Sequence, residues 1–380
     1  MRIGINFHTT DRYISGVERY SLGLIDALLS QDDENEYIVF TNQPQIVRDN
    51  VRSARNLCIE SLTNIKTRAQ RILWEHICLP KVAEKHRIDV LHCPHYICPY
   101  FRSNVPYVVT VHDTIALDFP QWCRKTNAIY YKMTMKSAVN NAAKIIAVSK
   151  YTAERLNCHF EDTTGKVRVI HPGIDAVFTD ESDDNRQAEV RAKYNLPQKY
   201  ILFVGNIEPK KNVVALLKAS ELLEDMGLSH KLVLAGKRSW KSKHVLEEIN
   251  TQSKANKVVV TQYVLQEDLP FIYQMADVFV FPSLCEGFGF PPLEAMACGT
   301  AVIATGVGVL RELTDEYCRV IDPADHRGIA RRIALLVRNE KIRRQYITAG
   351  LRIRSKFSWE QAANQTLSVY KEVAGSYVSN

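Results

Sequence analysis

Residues 276–305, ADVFVFPSLCEGFGFPPLEAMACGTAVIAT, carry the reading of the fold. An apolar run, Val278 to Pro282, ends in a glycine-rich loop. Pro291-Pro292 suit the opening of a helix, Gly299 suits its close, and a second apolar run, Ala301 to Thr305, follows at once. Strand, helix and strand in so short a span make a crossover unit, which belongs to a parallel sheet covered by helices. Gly287 and Gly289 let a ligand approach the backbone of the loop around Phe288 and Phe290. A loop that feeds a helix amino terminus offers N–H donors and about half a positive charge to an anion such as phosphate. Glu286 and Glu294 bracket this loop at a spacing of eight, the second expected in the first helical turn. Ionised carboxylates accept hydrogen bonds from adjacent hydroxyls, which is how a sugar or ribose diol is held. The plainer alternatives are a surface acid at 286 and helix-dipole stabilisation at 294.

The same alternation of strand and helix runs outward in both directions. In the first half, strands are expected at Arg2 to Phe7, Tyr37 to Phe40, Val90 to His92, Tyr107 to His112 and Lys144 to Val148. After a polar, turn-rich break at Ala176 to Pro197 the rhythm restarts with Tyr200 to Val204, Lys231 to Ala235, Lys257 to Thr261 and Arg319 to Ile321, and helical pattern dominates from Arg327 on. The fold class is therefore α/β: two Rossmann-like, doubly wound domains facing across a cleft, with the boundary near Ile174 to Lys199. A length of 380 residues suits two domains that each bury a core.

Composition narrows the class. With 46% hydrophobic and 24% charged residues, disordered and fibrous readings fall away. Met1 to His8 reads as a strand and not as a signal peptide, and no apolar stretch is long enough to span a bilayer, so a soluble or peripheral cytoplasmic protein is expected. Nine irregularly spaced cysteines argue against a disulfide framework. His92-Cys93-Pro94-His95 with Cys98 gathers soft ligands, but no second pair accompanies them; a strand-end loop with buried thiols stands beside the zinc alternative. HExxH, GxSxG, Walker and Asp-x-Asp patterns are absent, so nothing in the chain calls for a divalent cation.

Three further segments look chemical. Phe203 to Asn212, FVGNIEPKKN, places Gly205 and Asn206 after a strand, with Lys210 and Lys211 ahead of an amphipathic helix. Lysines at such a mouth neutralise a diphosphate, or are simply solvated. Ser15 to Arg19, SGVER, is a small-residue loop before a helix, and His112 stands where the strand VPYVVTV ends, a position for a hydrogen-bonding or proton-handling group or for a structural histidine.

Taken together, SGVER, VTVHDT (109–114), VSKYTAE (148–154), HPGID (171–175), FVGNIEPKKN and above all residues 276–305 resemble family 4 of the retaining, nucleotide-sugar-dependent glycosyltransferases, which have the GT-B fold. The resemblance runs over nearly the whole chain. It implies an acceptor domain at 1–175, a nucleotide-sugar domain at 176–357, and a carboxyl-terminal helix at about 358–380 that packs back on the first. Lys211, with Lys210, would bind the donor diphosphate; Glu294 would hold the ribose; Glu286 would face the transferred sugar; the backbone of Phe288 to Phe290 would touch sugar and phosphate, with Gly287 also in the donor-binding loop. His112 would lie beside the reacting sugar, Gly16 in the loop lining phosphate and acceptor, and Tyr263-Val264 near the base. Asn206 stands where the family usually has arginine, which removes one bidentate cation from the phosphate site.

The function this implies is transfer of a hexose, mannose from GDP-mannose taken first, to a hydroxyl of a lipid-linked saccharide in surface polysaccharide synthesis. Retention and independence of metal are expected, with no cofactor beyond the nucleotide sugar. A soluble small-glycoside transferase and a sugar-nucleotide 2-epimerase are the alternatives, and no nucleic-acid module is present. The net charge of +7 is local: residues 46–87 hold nine Lys/Arg against four Asp/Glu around an expected amphipathic helix, Thr67 to His86, and residues 327–356 hold ten against one. The first stretch suits an anionic membrane at the inner face of the cytoplasmic membrane, or an ordinary solvated face; the second reads as a solvated helical pair.

Overall fold

The computed structural model describes every residue except 10–13, 15, 63, 64, 66, 102, 124, 164, 238–242, 314–318 and 379–380. Ser15 of SGVER, Lys66 of the first basic stretch and Cys318 therefore lie outside the described residues. The chain divides into two compact units: residues 1–173 with 357–380, and residues 174–356.

The first unit holds a seven-stranded sheet of β1 (Arg2–Phe7), β2 (Glu36–Thr41), β3 (Leu57–Ser61), β4 (Val90–Cys93), β5 (Tyr107–Val111), β6 (Lys144–Ala147) and β7 (Val167–Val169), in the order β3-β2-β1-β4-β5-β6-β7. Every neighbouring pair is parallel. The second unit has six: β8 (Tyr200–Val204), β9 (Lys231–Ala235), β10 (Val258–Gln262), β11 (Val278–Phe281), β12 (Val302–Ala304) and β13 (Arg319–Val320), in the order β10-β9-β8-β11-β12-β13, again all parallel. Central strands of both sheets are buried on both faces, which is why they read as unbroken apolar runs: β5 and β11 are buried throughout. Strand order reverses between β1 and β4 and between β8 and β11. Those switch points are where α/β sheets leave room for ligands beyond the carboxyl ends of their strands.

The last helix, Trp359–Val378, belongs to the first unit. It approaches the helix Gly16–Gln31 so closely that a Cβ on Gly23 would lie 2.5 Å from the Trp359 ring. Ala363, Leu367, Tyr370 and Val373 are buried, each larger side chain contributing roughly 1.5–3 kcal/mol. Lys144 Nζ meets Glu372 at 2.6 Å, and Tyr370 Oη pairs with His92 Nδ1 at 2.6 Å. His92 Nε2 pairs in turn with Thr110 Oγ1 at 2.8 Å, so both ring nitrogens are engaged within the sheet. Cys93 and Cys98 are buried, and among the described residues no three His, Cys, Asp or Glu side chains converge as metal ligands. No helix among them is long and apolar enough to cross a membrane.

Candidate functional site

In the second unit two loops meet at the switch point. The loop after β8 turns through the 3-10 segment Pro209–Lys211 and, at Asn212 with a left-handed backbone, into the helix Val213–Asp225. The loop after β11 runs from Pro282 to Gly289 and enters the helix Phe290–Ala297. Leu284 N–H donates to the Lys210 carbonyl at 2.8 Å and fastens one loop to the other. Across this seam Lys211 Nζ donates to Glu286 Oε1 at 2.6 Å, with both side chains about 11% exposed. The ammonium also lies 4.9 Å from the centre of the Phe281 ring. Burial pushes the Glu286 carboxyl up, but the charges of Lys211 and Lys210 and the hydrogen bond from Lys211 prevail and hold it below its ordinary value. Glu286 is ionised at neutral pH beside two lysines, of which Lys210 also lies 3.7 Å from Glu208.

Glu294 is 1% exposed and accepts a hydrogen bond from Tyr273 Oη at 2.9 Å. It is the fifth residue of its helix and not part of the first turn, because the helix begins at Phe290. Dipole stabilisation at the amino terminus therefore does not account for it. The same helix has proline at its second and third positions, which carry no N–H, so its amino terminus offers fewer free donors than an ordinary helix start.

The backbone around these side chains is closely interlocked. A Cβ on Gly236, after β9, would lie 2.1 Å from the Gly205 carbonyl oxygen, so the loops after β8 and β9 pass in backbone contact. Gly308 likewise abuts the Phe288 carbonyl, where a Cβ would come within 2.5 Å. Gly287, Phe288 and Gly289 are buried, whereas Asn206 is exposed. Tyr263 and Val264, after β10, are partly buried, and Lys237 Nζ lies 4.7 Å over the Tyr263 ring. Lys237 and Tyr273 were not singled out from sequence. Lys237 had a signal, since VLAGK (233–237) repeats the strand-glycine-lysine order of the β8 loop; Tyr273 sits in a helix with no local mark of its role.

His112 and Gly16 belong to the first unit. His112 follows β5, and its Nε2–H donates to the Pro94 carbonyl at 2.8 Å, with the Tyr20 ring edge-on at 4.7 Å. A carbonyl only accepts, so Nε2 carries the proton and Nδ1 is left as an acceptor. Burial lowers the histidine's pKa, against the bond to Pro94 and the charges of Asp113 and Glu18, so the ring is neutral at pH 7. Gly16 is the exposed first residue of its helix.

The chain is similar to known proteins over most of its length. Residues 14–178 match the family described as Glycosyltransferase Family 4, and residues 185–352 match Glycosyl transferases group 1. An uncharacterized glycosyltransferase of Methanocaldococcus jannaschii is 30% identical over 307 residues, covering 75% of each chain. The chain belongs to glycosyltransferase family 4. The family 4 transferase is also 27% identical over 378 residues to O-antigen chain mannosyltransferase B of Escherichia coli, spanning 94% of its own length and 96% of that relative. Among solved structures, sucrose-phosphate synthase from Thermosynechococcus elongatus superposes with a TM-score of 0.77 at 20% identity over 99% of both chains, which shows the GT-B fold. The protein is thus a glycosyltransferase with two parallel-sheet domains.

Proposed function

We propose that this transferase moves a hexose, mannose from GDP-mannose in the first instance, to a hydroxyl of a lipid-linked saccharide in surface polysaccharide synthesis, with retention at the anomeric carbon. The observation that carries the donor half is the buried Lys211–Glu286 pair at 2.6 Å, flanked by Lys210, at the switch point of the second sheet. Lys211 is paired with Glu286 and Lys210 lies 3.7 Å from Glu208; both ammonium groups can turn to a diphosphate, while Glu286 offers its carboxylate to hydroxyls of the transferred sugar. Glu294, held by Tyr273, takes the ribose diol. Mannose is supported by the name of the Escherichia coli relative, with which the chain aligns over nearly its whole length.

In the reaction the bond from the anomeric carbon to the diphosphate breaks as the acceptor oxygen bonds to the same face, and the acceptor's proton passes to a diphosphate oxygen. Lys210 and Lys211 stabilise the charge that develops on the leaving group, so no metal is required for that step. Neutral His112 presents Nδ1 as an acceptor to a sugar hydroxyl. A thermal-shift screen of GDP-, UDP-, ADP- and dTDP-sugars tests the donor: the true one, at about 100 times its Kd, adds roughly 2.7 kcal/mol of stability. Stabilisation by a UDP-sugar alone would overturn GDP-mannose and leave the site standing.

A second observation supports work at a membrane. In the first unit Leu73 (55% exposed), Ile77 (47%), Phe101 (70%), Ile129 (63%) and Met133 (58%) are large apolar side chains left in water. His76 stacks on Tyr100 at 3.7 Å and Tyr96 meets Tyr131 at 5.7 Å, which bring the carrying segments side by side. With the basic stretch 46–87 this face suits the inner, anionic leaflet of the cytoplasmic membrane, at about 1 kcal/mol per surface cation. Flotation with phosphatidylglycerol vesicles at low salt is expected, and its absence would remove the membrane reading.

A further inference from the structure

We propose that the switch point of the first sheet, between β1 and β4, is a saccharide-binding site in which Arg71 and His95 meet hydroxyls of the acceptor and Glu75 holds both in position. The proposal rests on the acceptor being a saccharide, as argued above.

β1 runs into Asn6 and His8, β4 runs into Cys93 and His95, and the helical segment 68–78 lays Arg71 and Glu75 over their ends. Residues Trp74–Cys78 form a π-helix, an irregularity that recurs at functional sites. Its wider turn brings two successive residues inward, Glu75 at 1% and His76 at 2% exposed, while Leu73 and Ile77 face out. Glu75 Oε1 is 3.8 Å from His95 Nε2, and its Oε2 is 3.6 Å from Arg71 Nε, both beyond hydrogen-bonding reach.

The polar atoms gathered here are only loosely engaged by the protein. Arg71 Nε and His8 Nε2 are buried without a hydrogen bond, and the Glu75 carboxylate, which Asn6 reaches, has no hydrogen bond of good geometry. Buried polar atoms are nearly always paired, so a cluster of open ones at a strand-end switch point marks a place for a ligand. Arg71 and His95 side chains keep 18% and 14% exposure beside Glu75 at 1%, so of the three they are the ones that solvent or a ligand reaches.

Charge selects the class of ligand. Burial holds His8 and His95 neutral, so the cluster has one cation, one acid and several neutral donors and acceptors. That balance suits uncharged hydroxyls, whereas the paired lysines beside Glu286 suit phosphate. Among the described residues no metal-ligand cluster competes for these side chains.

The test uses the full chain with octyl α-mannoside as acceptor and each of the four nucleotide sugars as donor. Glu75→Gln and Arg71→Gln are expected to raise the acceptor KM by about ten- to a hundredfold while the donor KM and GDP affinity stay unchanged. Glu75→Asp should recover part of the loss, which a purely structural role would not grant. Folded variants with an unchanged acceptor KM, or with donor and acceptor KM rising together, overturn the proposal. Should Glu75→Gln fail to fold, Arg71→Gln at the more exposed partner decides alone. A wild-type chain that glycosylates no saccharide from any donor would sink the acceptor reading itself, an outcome distinct from active variants that match wild type.

Discussion

Each half of the transferase buries a glutamate beside a cation at the switch point of its sheet, and the two glutamates end in opposite states. Glu286 touches Lys211 at 2.6 Å and is held below its ordinary pKa; Glu75 stands 3.6 Å from Arg71 and is pushed up to about 7 by burial, against the opposing effects of Arg71 and Asn6. Burial alone does not separate them, since both are under a tenth exposed. What differs is the cations: one within bonding distance with a second nearby outweighs desolvation, and a single one a little farther off does not. The first arrangement keeps a fixed charge in its site, and the second keeps a nearly neutral cluster.

The largest effect is expected from breaking the close pair. Lys211→Ala strands the Glu286 carboxylate in a buried site, which should cost about 3–5 kcal/mol and abolish donor binding. The double variant Lys211→Met with Glu286→Gln should regain much of that stability, read by calorimetric melting, without regaining the donor. If Lys211→Ala melts and binds donor as wild type does, the contrast between the two halves is lost.

A smaller effect sharpens the contrast through pH. Glu75 binds its proton more tightly folded than unfolded, so its contribution is complete below the ordinary carboxylate range and is lost as pH rises through about 7. His8, His76 and His95 in the same unit are held neutral and titrate in the opposite sense, so the difference between variant and wild type is the measurement. Cys93 also faces Glu75, and burial pushes its thiol well up. Glu75→Gln should gain on wild type by on the order of 3 kcal/mol between pH 4.5 and 8, followed by urea midpoints from tryptophan fluorescence. Glu286, with its lowered pKa, contributes stability above the ordinary carboxylate range and loses it as pH falls. Glu286→Gln should therefore gain on wild type toward acid, and parallel curves for the two variants would break the comparison.

Much of the fold was legible because buried parallel strands announce themselves. The expected runs at Arg2 to Phe7, Tyr200 to Val204 and Lys231 to Ala235 coincide with β1, β8 and β9. The two strands with no expectation, β3 and β7, are the edges of the first sheet, partly exposed and mixed with Glu60 and Arg168, so their sequence looks like loop. In the site, the spacing of Glu286 and Glu294 was readable because both flank one local turn. The depth of Glu294 in its helix was not, since a start at Phe290 ahead of two prolines has no side-chain cap to mark it. Glu75 sat unnoticed in what looked like one face of an amphipathic helix, because a regular helical period does not foresee a π-turn that sends residues 75 and 76 inward together.

By itself the sequence determined the α/β class, the strand-loop-helix units and the residues that mark a family 4 glycosyltransferase, all of which depend on periodicity and spacing within a few turns of chain. Only the tertiary structure decided which of those residues meet. Lys211 and Glu286 are 75 positions apart and Tyr273 and Glu294 are 21 apart, joined by the ordering of strands in a sheet and not by any local rule. Whether a buried carboxylate is charged turns on ångström differences in such contacts, and those are set by packing.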